Sequence, residues 1–178
     1  MMRICFGLVA LLMTGTPVFA TQSCDTTLYP LSAPTARFVD NHDGTVTDTS
    51  THRMWMRCSI GQSWNGSACD KTPAPLSWQA AVDAALAVNA QGGYAKHDDW
   101  RMPAIPELAN IVERQCADPR INLAVFPDTP AGFYWTASDR HGKGNEGEAY
   151  MLSFGPEGTA GDAKNEPHFV RLVRVVAP

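Results

Sequence analysis

Three short runs near the front of the chain, residues 37–40, 45–48 and 53–56, are rich in β-branched and aromatic residues and are separated by two clusters of turn formers. That pattern predicts an antiparallel meander. A four-residue turn at Asn41-His42-Asp43-Gly44 would set Asp40 opposite Thr45, Val39 opposite Val46 and Arg37 opposite Asp48. A second turn, Thr49-Ser50-Thr51-His52, would bring Arg53 opposite Asp48 and Trp55 opposite Val46. One face then carries Val39, Val46 and Trp55 beside Arg37, Asp48 and Arg53, a matched set of cross-strand partners, and the other carries Phe38, Thr47 and Met54.

The period changes after residue 76. Trp78, Ala81, Val82, Ala85, Leu86 and Val88 recur at helical spacing behind Ser77, an N-cap residue, and Gly92 or Gly93 supplies the stop. A second helix is predicted over residues 106–115, with Leu108, Ile111 and Val112 inward and Pro106 in its first turn. Residues 118–132 hold three prolines and little periodicity, so they read as an ordered loop or short single turns. Strands follow at 133–138, 149–154 and 169–176. A meander, two helices, a loop and further strands make an α+β class rather than an alternating α/β one.

Residues 1–20 have one early positive charge at Arg3, a short apolar run and a small-residue exit at Ala20, the layout of a signal peptide cleaved after about Ala20. The apolar run is well short of the roughly 20 residues of a spanning helix, so the expected mature protein is secreted or periplasmic and not membrane-spanning. It divides into an N-terminal arm, 21–36, and one domain, 37–178. The net charge is −4 for the whole chain and becomes −5 without Arg3, which argues against a general nucleic-acid or polyanion binder. Four cysteines remain after cleavage, and in an exported chain they read as two disulfides with three conceivable connectivities. The short spacing of Cys58 and Cys69 favours joining them, which leaves Cys24 for Cys116.

Candidate chemistry changes this picture little. The aspartates of the stretch from Asp40 to Asp48 suggest a calcium loop, but alternate positions from Asp40 hold His42 and Gly44, so a turn accounts for them better. His97-Asp98-Asp99 follows a helix stop and lacks a recognisable metal spacing, and neither a metal nor a cofactor is expected. Strict alternation puts Arg171 on the side of Phe169, Val173 and Val175, and Arg101 lies between Trp100 and Met102. Both arginines are expected to be structural, satisfied by carboxylates such as Glu107 or Asp99, with Trp55, Trp78, Trp100 and Trp135 as structural aromatics. Nucleophile elbows, zincin motifs and phosphate-cradling loops are missing from the sequence, so no catalytic residue is assigned. The candidate ligand contacts are Trp64 and Asn65 in the cysteine-bracketed loop, and Arg140, His141 and Lys143 in a Gly-rich loop.

The series FVDNHDGTVTDTSTHRMWMRC, GQSWNGSAC, LSWQAAV, DDWRMPAIPEL, INLAVFPDTPAGFYWTAS and FVRLVRVV resembles the Lcl C-terminal domain family, named after the C-terminal domain of the Legionella collagen-like adhesin. WRMPAIPEL and FVRLVR also resemble pieces of the formylglycine-generating enzyme group, which implies a C-type lectin-like fold: a twisted antiparallel sheet, two flanking helices and long loops. The enzyme activity of that group depends on C-terminal cysteines, and none follows Cys116 here. Ala104 stands where the family usually has a helix-capping threonine or serine. The adhesin resemblance implies binding of sulfated glycans, and trimers. This chain is acidic, however, and has no Gly-x-y run to enforce a trimer. The expectation is an exported binding module for a glycan or an envelope or surface protein, acting through loops 58–75 and 138–167, with a homo-oligomer allowed. The alternative is a structural or assembly subunit of an appendage or envelope complex.

Overall fold

The structure, a computed structural model, describes residues 22–27 and 29–176. The expected signal peptide lies outside the described residues. In chain order the elements are β1 (Ser23–Cys24), β2 (Phe38–Asp40), β3 (Thr45–Asp48), β4 (Arg53–Met56), β5 (Ser63–Trp64), β6 (Cys69–Asp70), α1 (Trp78–Ala90), α2 (Ile105–Ala109), β7 (Cys116–Ala117), β8 (Phe133–Asp139), β9 (Glu148–Ser153), β10 (Thr159–Ala163) and β11 (Val173–Val175). The class is α+β. A four-stranded antiparallel sheet runs β11-β4-β3-β2 and a three-stranded one runs β10-β9-β8, while β1 pairs with β7 and β5 with β6.

Strands β4, β8 and β9 of the two larger sheets carry consecutive buried residues, which feed different cores. Trp55, Tyr134, Leu152 and Val173 enter one cluster with Phe38, Leu108 and Phe126. Their neighbours Met54, Trp135, Met151 and Leu172 enter the other, against Ala81 and Ala85 of α1. The two helices therefore cover opposite sides. For α1 the N-cap is Ser77, whose hydroxyl accepts the Ala80 N–H, and the stop follows at Gly92 and Gly93, both at positive φ. Leu86 is the exception to the expected stripe: it is 61% exposed, because only the face carrying Ala81 and Ala85 meets the sheet.

The first hairpin is one residue out of its expected register. Asp40 pairs with Val46 and Phe38 with Asp48. Thr45 is drawn into the turn: its N–H and hydroxyl donate to Asp43 Oδ1, and its carbonyl accepts the Asn41 N–H. The slip turns Phe38 inward and leaves Val39 half exposed, the consequence of period-two geometry. The second turn is as expected, with Asp48 opposite Arg53 and Val46 opposite Trp55. Arg37 still reaches Asp48, through bonds of 2.9 and 2.6 Å, although it lies outside the strand.

Two further elements are shorter than expected. The second helix ends at Ala109 rather than at residue 115, because the chain beyond it turns to bury Glu113, whose carboxylate accepts the N–H groups of Ser32, Ala33 and Gln115. Those bonds fasten the N-terminal arm, where Ala33 is fully buried and β1 pairs with β7. Of the expected last strand only Val173–Val175 joins β4. Residues 168–172 cross between the sheets instead, with Phe169 bridging Tyr134 and with the carbonyls of Val170 and Leu172 accepting from Ile60 and Met56. Strand β10 follows the turn after β9 and carries Gly161 and two alanines, which gave no hydrophobic alternation to read.

Candidate functional site

Cys58 and Cys69 are bonded to each other, as are Cys24 and Cys116, so the connectivity is the one that spacing favoured. Within the Cys58–Cys69 loop, β5 and β6 form a two-stranded ribbon with Trp64 opposite Cys69. Asn65 holds the tip of that ribbon together: its amide donates to Asp70 and its oxygen accepts the N–H groups of Ser67 and Ala68. Its hydrogen-bonding capacity is thus largely used within the loop. Trp64 is half-buried. The Arg57 guanidinium lies 4.3 Å from its ring centroid and is itself held by Asp40 at 2.8 Å and by the carbonyls of Ala124 and Val125. The ring also rests on Gly44, where a side chain would come within 2.9 Å of Trp64 Cγ.

Between this loop and α1 lies an open cleft of about 480 Å³. Ala84, Ala87, Val88 and Gln91 present one face of α1 to it, since residues three and four apart are neighbours on a helix. Trp64, Ile60 and Met56 form the facing wall, and Tyr94 closes one end. Tyr94 meets Trp100 edge to face, with its hydroxyl against Gly44. Burial, with Asp43 adding to it, pushes the Tyr94 phenol above its ordinary value, so it stays a neutral hydroxyl.

The indole N–H groups separate structural from available tryptophans. Those of Trp78, Trp100 and Trp135 donate to the carbonyls of Thr136, Tyr94 and Leu76. That of Trp55 is buried without a partner. The Trp64 indole sits at the surface and makes no hydrogen bond among the described residues.

The other predicted contacts lie elsewhere. Residues 138–167 are not one loop, because β9 and β10 lie within them. The turn joining β8 to β9 carries Arg140, His141 and Lys143, of which Arg140 and His141 line a depression of about 150 Å³ that shares no lining residue with the cleft. Arg140 is already paired with Glu148 at 2.5 Å, and Lys164 on the same rim with Asp139 at 2.5 Å. Lys164 also lies over the Trp78 ring. The two sequence-predicted groups therefore form two separate places rather than one site.

The remaining polar residues support the frame. The aspartates of the opening hairpin serve different partners: Asp40 takes Arg57, Asp43 takes Thr45, and Asp48 takes Arg37, Ser50 and Thr51. Arg37 and the hydroxyls hold the Asp48 carboxyl below its usual range in spite of its burial. Among the described residues no three His, Cys, Asp or Glu side chains converge as a ligand set for a metal. Arg101 pairs with Glu107, as expected, through two bonds of 2.7 Å. Arg171 does not have the expected carboxylate. It is completely buried, and it donates to the carbonyls of Met56 and Arg57 and to the Thr129 hydroxyl, under the rings of Phe126 and Tyr134. The backbone carbonyls of Met56 and Arg57 take the place of the expected carboxylate. With all four cysteines paired, no thiol nucleophile exists among the described residues.

The sequence profile of the Lcl C-terminal domain matches residues 44–174. The chain belongs to the Lcl C-terminal domain family. No curated protein shows significant similarity to it. The matched span of the Lcl C-terminal domain begins at Gly44, the residue on which Trp64 and Tyr94 rest, and contains every residue that lines the cleft. Of those residues sequence reading singled out Trp64 alone as a ligand contact. Tyr94 and Gln91 escaped notice because they flank a double-glycine helix stop, a place that reads as punctuation.

Proposed function

We propose that the protein is an exported, non-enzymatic binding module of the adhesin type, with a C-type lectin-like arrangement of sheet, helices and loops, that recognises a glycan or a surface protein. Membership of the Lcl C-terminal domain family supports an adhesin-like surface module. Two disulfides fit an oxidising compartment, and no helix among the described residues is long and apolar enough to cross a membrane. The observation that carries the reading is Trp64: an aromatic with a free indole donor, fixed at the edge of a cleft by a disulfide, a cation and a glycine. A group pinned in this way loses little freedom on binding, and so its contact energy is retained as affinity.

The test is a glycan-array screen of the oxidised protein with and without calcium, alongside Trp64→Ala and the double variant Arg140→Ala, Lys143→Ala. Saturable binding that is lost in either variant supports the reading and says which of the two places is used. A blank array with folded protein transfers the weight to the alternative, a structural or assembly subunit. Exposed Val39 on edge strand β2 favours that alternative, because an unpaired edge accepts neighbouring chains.

A further inference from the structure

The place of binding follows from how the charged groups are already committed. In the turn between β8 and β9 the anchored cation, Arg140, is neutralised by Glu148, and Lys164 by Asp139. Glu146 lies in the same depression, its carboxylate accepting the Gly144 N–H. That surface offers an anion little net positive charge. The cleft beside α1 differs in kind. None of its lining residues bears a charge: Met56, Ile60, Ala84, Ala87 and Val88 supply apolar surface, Trp64 and Tyr94 aromatic surface, and Ser63 and Gln91 polar groups without a partner among the described residues. Arg57, the cation against Trp64, is spent on Asp40 and two carbonyls.

We infer that this cleft is a site for a neutral glycan, with the C–H face of an uncharged pyranose against Trp64, and its hydroxyls on the Gln91 amide, the Ser63 hydroxyl and the Trp64 indole N–H. The inference rests on the proposed binding function and narrows it. Sugars present alternating apolar faces and hydroxyl edges, and an aromatic beside amide and hydroxyl groups matches both. A sulfated or uronic-acid ligand would have to be desolvated in this cleft with no cation to receive it. The volume of about 480 Å³ lies within the range of small-ligand sites and, because the cleft is open, suits the end or a short stretch of an oligosaccharide.

The experiment is titration of the oxidised protein with neutral β-linked glucose, galactose and N-acetylglucosamine oligomers and, separately, with heparin and chondroitin sulfate, read by calorimetry and tryptophan fluorescence. The expected result is binding of at least one neutral oligomer, accompanied by a fluorescence change and insensitive to raising the salt from about 0.05 to about 0.5 M. Trp64→Ala and Gln91→Ala should each weaken it roughly tenfold or more. Since Trp64→Ala also removes a contact with Gly44 and Arg57, Ala87→Glu serves as the second variant. It leaves Trp64 in place, sits on the exposed face of α1 and puts a charged side chain into the cleft, and it should abolish binding with the melting temperature unchanged. Binding confined to the sulfated polymers, salt-sensitive and lost in Arg140→Ala, Lys143→Ala, would overturn this site and keep the binding function. Absence of binding to either class by folded protein would overturn this site together with the glycan branch of the binding function.

Discussion

One carboxylate, Glu107, ties three segments together. It takes Arg101 through both oxygens, Arg53 Nε at 2.7 Å and the Ala104 N–H at 2.8 Å. The last bond is half of a capping box, and it satisfies the N-terminus of α2 although Ala104 cannot accept in return. Arg101 above all, with Arg53 assisting and burial opposing, draws the Glu107 carboxyl from 4.5 to about 2. A folded-state value below the unfolded one contributes stability that is complete above about pH 4.5 and is lost as the pH falls through about 2. Glu107→Gln should therefore cost about 2–3 kcal/mol near neutral pH, and the gap to the unaltered protein in urea denaturation should narrow as the pH is lowered towards 2. A gap independent of pH would show that shape, not charge, is what Glu107 supplies. The partnership of Arg101 with Glu107 could be read from the sequence, since an Arg beside Trp100 needs a carboxylate and one lies six positions on. The partners of Arg171 could not, because carbonyls carry no signature in the choice of side chain.

At the scale of the element, turns decide where the site residues stand. Gly44 is buried at φ +88°, and a Cβ there would come within 2.1 Å of the Tyr94 hydroxyl and 2.9 Å of Trp64 Cγ. Gly44→Ala should cost about 2–4 kcal/mol from backbone strain and steric displacement together, seen as a lower melting temperature. It should also alter the environments of Trp64 and Tyr94 in NMR spectra, whereas the same change at Gly66, also at positive φ but with open space around it, should affect stability by only about 1 kcal/mol. The disulfide of the β5–β6 loop makes a second contribution. Replacing Cys58 and Cys69 by serine should remove about 3 kcal/mol, and replacing Cys24 and Cys116 about 4.5 kcal/mol, from a loop-closure argument over 11 and 92 residues, measured by urea denaturation. Equal losses for the two would mean that chain entropy does not set their worth. The elements themselves were legible where propensity and burial agree, as in α1 with Ser77 and its glycines. They were not where tertiary bonds intervene: Thr45 joining a turn shifts a strand by one residue, and buried Glu113 ends a helix that its apolar spacing would continue.

The whole molecule is organised by sheets that face a core on each side, so neighbouring residues of one strand answer to different packing environments. Period-two alternation between apolar and polar, which served to locate a half-buried meander, has no purchase on such strands, and this is why 133–138 and 149–154 read as strands without revealing which residue faces which helix. Met151 belongs to the cluster beneath α1, and Leu152, the next residue of β9, to the cluster beneath α2. If the shared strands make the two cores one cooperative unit, Met151→Ala and Leu152→Ala should each cost about 2–5 kcal/mol and shift one and the same calorimetric transition. The site depends on this coupling, since Gln91 and Val88 reach the cleft from α1 on one core, whereas Trp64 is braced by Arg57, whose own anchor is the Val125 carbonyl beside the other. Both variants should then weaken ligand binding as the protein approaches its melting temperature, and to the same extent at equal fraction folded. A split calorimetric trace, with Leu152→Ala melting the α2 side alone while the α1 side persists, would mean that the two faces fold independently and that the cleft is assembled from parts of unequal stability.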